Sequence, residues 1–131
     1  MRAIRVHQSG GIDTIRLDEI PCPVPEEGEV LVAVKAAGVG PWDRLVREGQ
    51  SGLGQALPLT LGSDVSGTVS ALGANVDVFA LGDAIYGATN DQFVGSYAEY
   101  VLVEAGKIAR KPAALDYVTA AGLSAVAVTT W

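Results

Sequence analysis

Short stretches of alternating apolar and polar residues, each closed by glycine or proline, are the feature that most limits how this 131-residue chain can fold. In residues 96–103, Tyr97, Glu99, Val101 and Val103 fall on one face and the intervening residues on the other. A period of two is typical of a β-strand, because successive side chains point to opposite faces. The chain also has 16 glycines, which suit tight turns between strands. We therefore predict a mainly β fold with short helices.

The same pattern predicts further strands along the chain. The first two should form a hairpin across a glycine pair, and in the third both faces are apolar, so it should be covered on both sides. The predicted strands are residues 2–7, 15–20, 29–36, 64–72 and 83–86, with a loop rich in glycine and proline at 50–60.

Two segments have helical spacing instead. Residues 41–48 begin with a proline suited to a first helical turn and are followed by Gly49, which should end the helix. Residues 116–128 begin with Asp116, a good N-cap, and are apolar on nearly every side, so we expect this helix to be buried. Residues 128–131 offer no glycine, basic turn or polar tail to close it, and we expect the natural chain to continue.

Composition excludes several classes of partner. The net charge is -6 and no cluster of lysine or arginine is present, so we expect neither nucleic acid nor an anionic membrane as a partner. A single cysteine, Cys22, cannot form an internal disulfide or a cysteine-rich metal site. The N-terminus has no apolar core of a signal peptide. We expect a cytoplasmic protein with a small-molecule substrate.

Several short motifs, taken in order, resemble the zinc-free quinone oxidoreductase and alcohol-dehydrogenase-like branch of the medium-chain dehydrogenase/reductase family. Each is weak alone, but their order and spacing along the whole chain are specific. The motifs are residues 28–32 (GEVLV), 37–43 (AGVGPWD), 62–69 (GSDVSGTV), 82–83 (GD) and 95–100 (GSYAEY).

The resemblance implies a fold and a domain organisation. Residues 1–115 would form a GroES-like, partly open β-barrel that serves as the catalytic, substrate-side domain. Residues 116–131 would begin a connecting helix toward a Rossmann domain that this sequence lacks. Because the family completes its barrel sheets with strands from farther along the chain, sheet edges would be exposed, and we expect a homodimer or higher oligomer.

The resemblance also implies that no zinc is bound. Zinc-dependent relatives place a cysteine where Gly40 stands and a histidine where Ser63 stands, and a catalytic zinc needs three protein ligands. Both side chains are absent here. The lone His7 ends a predicted strand without a metal-ligand neighbour in the sequence, and we interpret it as a surface histidine.

The implied activity is hydride transfer from a reduced nicotinamide, NADPH rather than NADH, to a quinone, enone or aldehyde-like substrate. The chain contains neither phosphate-binding glycine fingerprint, and its glycines at 62, 67 and 73 precede strands, so they are interpreted as turns and close-packing positions. The isolated chain should therefore be inactive. The alternative is a non-catalytic GroES-like binding or assembly module.

Four residues are candidates for the substrate pocket by resemblance. Gly40, Trp42 and Leu45 match a segment that lines the family's cleft, although many members carry asparagine and tyrosine where Gly40 and Leu45 stand. Phe93 lies in a loop that skirts the pocket in relatives. Packing of a short helix, for Trp42 and Leu45, and a plain surface turn, for the loop, remain alternatives.

The remaining candidates concern proton transfer and the cofactor. Asp43 and Asp64 are the candidate catalytic residues, because a carboxyl group buried near a cleft has a perturbed pKa, but a structural hydrogen-bonding role is the alternative for each. Gly40, Pro41 and Thr129 are the candidate cofactor contacts. For Thr129, a hydrogen bond back to its own helix is the alternative.

Overall fold

The computed structural model describes residues 1–125 and shows a mainly β architecture, as the sequence predicts. Two short 3-10 helices lie at Ile12–Thr14 and Ala105–Lys107. The strands are β1 (Arg2–Val6), β2 (Ile15–Glu19), β3 (Glu29–Gly38), β4 (Leu59–Thr60), β5 (Asp64–Leu72), β6 (Ala84–Ala88), β7 (Tyr100–Glu104) and β8 (Ile108–Arg110), and the helices are α1 (Pro41–Arg47) and α2 (Tyr117–Ala121).

The strands form two antiparallel sheets. The smaller sheet has the order β2-β1-β4, and the larger has the order β7-β3-β5-β6-β8. The β1–β2 hairpin is confirmed, with Arg2 opposite Glu19 and Val6 opposite Ile15. Each sheet contributes to one cluster of buried apolar residues, and α2 packs against β3, β5 and β6 of the larger sheet.

The larger sheet holds the main core. Val30, Leu31 and Val32 of β3 are all buried, which confirms that the first half of this strand is covered on both sides. Alternating side chains of the neighbouring strands complete the cluster, as a period of two requires. Its other buried members are Val65, Val69, Ile85, Val101 and Val103.

A second core joins the smaller sheet to α1. Val6 of β1, Val46 of α1, and Leu59 and Leu61 around β4 are buried together. The predicted loop at 50–60 therefore ends in a two-residue strand, which pairs with β1. Short strands such as β4 and β8 depend on tertiary pairing, and the sequence pattern did not predict them.

The prediction for residues 96–103 was wrong in its first half. Regular strand begins at Tyr100, whereas Ser96 and Tyr97 donate backbone hydrogen bonds to Gly62 and Leu61. Glu99 donates its amide to Arg2 of the smaller sheet and accepts from Val34 of the larger one. The segment crosses between the two sheets, so its side chains alternate although its backbone forms no continuous ladder.

The second helix also differs from its prediction. Asp116 caps it as expected, accepting the Thr119 amide at 2.7 Å. Ala120 and Ala121 are buried, but Val118 is 74% exposed, so the expectation of burial on every side was wrong for this turn. The helix ends at Ala121 with Gly122 as its C-cap, and residues 124–125 are helical again. The remaining residues of the predicted helical segment, including Thr129, lie outside the described residues. In residues 1–125 no helix is long and apolar enough to cross a membrane.

Two of the interpreted glycines have clear structural reasons. Gly62 has a φ of +91°, in the left-handed region that favours glycine. A Cβ on Gly67 would meet the Ala33 carbonyl oxygen of the neighbouring strand. Gly62 therefore serves a turn, and Gly67 allows the close approach of β3 to β5. Neither glycine begins a phosphate-binding helix.

Candidate functional site

Helix α1 places the first group of candidate residues. Pro41 occupies the first turn, and the Asp43 carboxylate accepts the Gly40 backbone N–H at 2.8 Å, which closes the helix start. Val46 on the inner face is buried, whereas Leu45 is 43% exposed. The helix thus directs Asp43 inward and leaves Leu45 near the surface.

Asp43 is buried and unevenly paired. Its Oδ2 accepts hydrogen bonds from the Gly40 amide and from the Tyr97 hydroxyl, both at 2.8 Å. Its Oδ1 is buried with no hydrogen-bond partner among the described residues. Burial raises the pKa of Asp43, and the nearby charge of Asp64 adds to this, although the donors around Oδ2 and the Gly62 amide oppose it.

Tyr97 is the side-chain hydrogen-bond partner of Asp43. Its hydroxyl lies 2.8 Å from Asp43 Oδ2 and 3.2 Å from the Gly38 carbonyl oxygen. Burial, followed by the adjacent Asp43, raises the pKa of Tyr97, so the phenol stays protonated. If Asp43 takes up a proton, its carboxyl can donate to the phenol oxygen while Tyr97 donates to Gly38. The pair can therefore hold either proton state of Asp43 without breaking apart.

A second series of side-chain hydrogen bonds lies beside the Asp43–Tyr97 pair. The Trp42 indole N–H donates to Ser63 Oγ at 2.9 Å, and Ser63 donates to Asp64 Oδ2 at 3.2 Å. Ser63 and Asp64 are both buried. Because Ser63 gives its only proton to Asp64 and accepts from Trp42, this hydroxyl is fully oriented by its neighbours.

Asp64 joins the start of β5 to the segment after α2. Its Oδ1 accepts the Ser124 hydroxyl and, at 2.8 Å, the Ala125 backbone N–H. Both oxygens of this carboxylate therefore have donors. The arrangement holds residues 124–125 against the sheet, which is a structural use of a buried carboxylate.

An open cleft of about 630 Å³ is lined in part by Ser124. Its lining is mostly apolar, with Asn90 and Lys107 as further polar residues, and Phe93 reaches it from the 90–95 loop. Asn90 holds that loop by donating its amide to the Val94 carbonyl at 3.0 Å. Other lining residues include Tyr86, Ile108 and Leu123.

Two of the predicted pocket residues, Gly40 and Trp42, lie together beside Ser63. Leu45 lies near the surface of α1, and Phe93 lines the cleft that Ser124 also lines. Pro41 is exposed at the start of α1. Asp43 and Asp64 are close enough for the charge of Asp64 to affect Asp43.

Sequence reasoning missed Tyr97, Ser63 and Ser124 as partners of the two carboxyl groups. Tyr97 and Ser63 lie within recognised motifs, but polar neighbours such as Ser96 and Asp64 give neither residue a distinct signal. Ser124 is the one polar side chain in the apolar stretch 120–128, a signal that could have singled it out. Only the fold brings it within reach of Asp64, 60 residues away.

The described residues offer no metal centre. In residues 1–125 no group of three His, Cys, Asp or Glu side chains could hold a metal ion. His7 is exposed, and its Nε2 lies 2.6 Å from Asp18 Oδ2 on the neighbouring strand. The pairing supports its interpretation as a surface histidine.

Comparison with known proteins places this architecture in a family. Residues 26–113 match the alcohol dehydrogenase GroES-like domain. This match covers more than half of the chain. The chain belongs to this family, within the medium-chain dehydrogenases/reductases.

Individual relatives of this GroES-like domain agree. A quinone oxidoreductase from Lama guanicoe is 39% identical over 118 residues, which cover 89% of this chain and 35% of the relative. The structure of the quinone oxidoreductase from Coxiella burnetii superposes with a TM-score of 0.92 at 32% identity, over 98% of this chain and 42% of that one.

A third relative has a bound cofactor. A mycobacterial protein whose structure is complexed with NADPH superposes with a TM-score of 0.85 at 34% identity, over 92% of this chain and 37% of that one. The GroES-like chain thus spans about a third of the length of the curated relatives it matches and about two-fifths of the solved ones.

Proposed function

We propose that this chain is the substrate-side domain of a zinc-independent, NAD(P)H-dependent oxidoreductase that reduces a quinone, enone or aldehyde-like small molecule. The observation that carries the proposal is the likeness to quinone oxidoreductases, in sequence over 89% of the chain and in fold over 98% of it. In this proposal residues 1–115 form the substrate-side domain, and residues 116–131 begin a connection to a nucleotide-binding domain.

The Asp64 contacts support this organisation. They attach residues 124–125 to β5, so the segment leaving the barrel starts from a fixed position. A fixed exit would hold a following domain in a defined orientation over the substrate side, and orientation of the reactants lowers the barrier to transfer.

A bound nicotinamide would supply the hydride. We place its contacts with this chain at Gly40, Pro41 and Thr129. The Trp42 ring covers Gly40, so the groups that α1 offers to a ligand are the indole and the exposed Pro41. The sequence has no phosphate-binding fingerprint, and the phosphates would be held by another part of the protein. We propose NADPH rather than NADH, in line with the mycobacterial relative.

We propose that neither candidate carboxyl group gives a proton directly to the substrate. Both oxygens of Asp64 and one oxygen of Asp43 are occupied by donors of the chain itself. Asp43 and Tyr97 would keep the start of α1 in place, and Asp64 would keep Ser63 and the exit segment in place. The proton that accompanies hydride transfer would then come from solvent.

The proposal also covers metal dependence, cellular location and oligomeric state. Gly40 and Ser63 stand where zinc-dependent relatives carry cysteine and histidine, so we expect activity without a metal. Strands β2, β7 and β8 each have one unpaired edge among residues 1–125, which supports a homodimer or higher oligomer. We propose a cytoplasmic enzyme that acts on a small molecule and binds neither nucleic acid nor membrane.

The test is NADPH oxidation by the full natural product with three acceptors: a benzoquinone, an α,β-unsaturated ketone and an aldehyde. We expect turnover with at least one acceptor, unchanged after dialysis against EDTA, and no turnover by the 131-residue chain alone. Loss of activity with EDTA and its return with zinc would contradict the metal-free proposal. No turnover with any acceptor would contradict the reductase proposal.

A further inference from the structure

The Trp42 side chain folds back over the start of its own helix. A Cβ built on Gly40 would meet carbons Cε2, Cζ2 and Cη2 of the indole, the last at 2.7 Å. Real Cβ atoms do not approach other atoms so closely, so glycine is the residue that leaves room for this ring. The Gly40 backbone, with φ -121° and ψ 165°, is extended and places no demand of its own for glycine.

An adjacent atom of the same ring reaches Ser63. The indole Nε1 donates to Ser63 Oγ at 2.9 Å, and Nε1 is bonded to Cε2, one of the carbons over Gly40. One indole therefore spans the gap between Gly40 and Ser63. By resemblance, these two positions carry the cysteine and histidine ligands in zinc-dependent relatives.

The residues present do not fit a zinc ion. Glycine has no side-chain donor, and the Ser63 hydroxyl already accepts from Trp42 and donates to Asp64. A serine hydroxyl is also outside the nitrogen, sulfur and carboxylate ligands that zinc prefers. The space between the two positions holds an aromatic ring in place of an ion.

We infer that Trp42 is a specificity-determining residue, whose indole fills the space between Gly40 and Ser63, excludes a metal ion from it and limits the size of a substrate group that can approach Ser63. The placement of the ring stands on the contacts alone, whereas the effect on substrate size rests on the proposed function.

The ring is held in this place from both ends. Ser63 is fully buried and is oriented by Asp64, so its free lone pair points to the indole N–H. The helix start that carries Trp42 is closed by the Asp43 bond to the Gly40 amide. The indole cannot swing away from Gly40 without losing its hydrogen bond to Ser63.

A double-mutant cycle tests the placement. In the full natural chain we expect Gly40→Ala to lower Tm by about 5 °C, since a site already filled by the indole is strained by one extra methyl group. In a Trp42→Ala background the same change should lower Tm by only the small cost of alanine at an N-cap. Leu45→Ala, from the same helix, is the matched control and should show no coupling to Gly40→Ala. Equal losses in the parent and in the Trp42→Ala background would overturn the placement.

Steady-state kinetics test the effect on specificity. We expect Trp42→Ala to raise kcat/KM for a bulky naphthoquinone relative to a small benzoquinone by about tenfold, because the ring no longer restricts the site. Trp42→Phe keeps an aromatic ring and should change this ratio less than about threefold. An unchanged ratio in an active Trp42→Ala enzyme would overturn the specificity role. If the parent reduces no quinone, the proposed function fails, and the specificity role fails with it, while the Tm cycle still decides where the ring lies.

Discussion

Asp43 and Asp64 are two buried carboxyl groups at the same end of the barrel, and they differ in how their oxygens are paired. Asp64 receives donors on both oxygens, from Ser63, Ser124 and the Ala125 amide. Asp43 receives two donors on Oδ2 and no hydrogen bond on Oδ1 among the described residues, although the Gly62 amide lies close enough to favour its charged form. Asp64 is 3% exposed and Asp43 is 7% exposed, so burial does not explain the difference.

The difference shows what each group can do. A buried carboxylate whose oxygens are all paired acts as a fixed acceptor that joins segments of the chain. Burial favours the neutral form of a carboxyl group, and it raises the pKa of Asp43 despite the donors around it. We therefore regard Asp64 as the structural attachment of the exit segment and Asp43 as a group that can carry a proton beside Tyr97.

The largest effect should come from removing the better-paired carboxylate. Asp64→Ala leaves the Ser63 and Ser124 hydroxyls and the Ala125 amide without their acceptor in a buried place. We expect a loss of about 3 kcal/mol in the free energy of unfolding, measured by urea denaturation. Asp64→Asn, which keeps one carbonyl oxygen for these donors, should lose less. A loss below about 1 kcal/mol for Asp64→Ala would remove the distinction between the two sites.

Tyr97→Phe tests the Asp43 site by removing its hydrogen bond from the Tyr97 hydroxyl. It deletes the hydroxyl that donates to Asp43 and leaves Oδ2 with the Gly40 amide alone. We expect a loss of about 1.5 kcal/mol in the free energy of unfolding at pH 7. Tyr100→Phe, for which no side-chain hydrogen bond is found among residues 1–125, is the matched control and should change little. Equal losses for the two variants would contradict the Asp43–Tyr97 contact.

The pH dependence of the free energy of unfolding should show the raised pKa of Asp43. Because the folded state raises its pKa, the folded protein binds more protons than the unfolded chain just above about pH 4. The stability that protonation of Asp43 contributes to the folded state is therefore fully present at lower pH and is lost as pH rises through the folded pKa. The slope from this single group cannot exceed about 1.4 kcal/mol per pH unit.

The measurement compares the parent with Asp43→Asn by urea denaturation from about pH 3 to about pH 8. A comparison is needed because Glu99 and Asp116, whose pKa values are lowered by Arg2 and by the Thr119 amide, change stability in the opposite direction. Stability of the parent relative to Asp43→Asn should fall with rising pH. A constant or rising difference would show that Asp43 has no raised pKa.

The smallest effect is expected on the exposed face of α2. Val118→Ser should change the free energy of unfolding by less than about 0.5 kcal/mol, since the side chain is 74% exposed. Ala120→Leu, two residues away at a fully buried position, is the matched control and should lose about 1–3 kcal/mol. A large loss for Val118→Ser would mean that this face packs against another part of the protein.

The sequence predicted the elements whose patterns are local. The alternation in residues 64–72 and the proline start of α1 depend on neighbouring residues, and both were confirmed. The sheet crossing at residues 96–99 and the two-residue β4 depend on pairing with distant segments, which periodicity does not encode.

The same limit applies to the candidate site. Asp43 and Asp64, the two acidic candidates, are both buried, but the partners that distinguish them, Tyr97 and Ser124, are 54 and 60 residues away. The grouping of Phe93 with Trp42 in one pocket stays a prediction of the resemblance, because such groupings depend on distances between side chains and not on local patterns. In the described residues Phe93 lines the cleft that Ser124 also lines, and Trp42 bonds to Ser63.

The most direct test of the proposal is the intact mass of the natural gene product, followed by titration of that product with NADPH. We predict a product longer by roughly one domain of 100–200 residues, which binds NADPH, while the 131-residue chain does not bind it. A natural product of 131 residues that binds no nicotinamide cofactor would contradict the oxidoreductase account and would favour the alternative of a non-catalytic binding or assembly module.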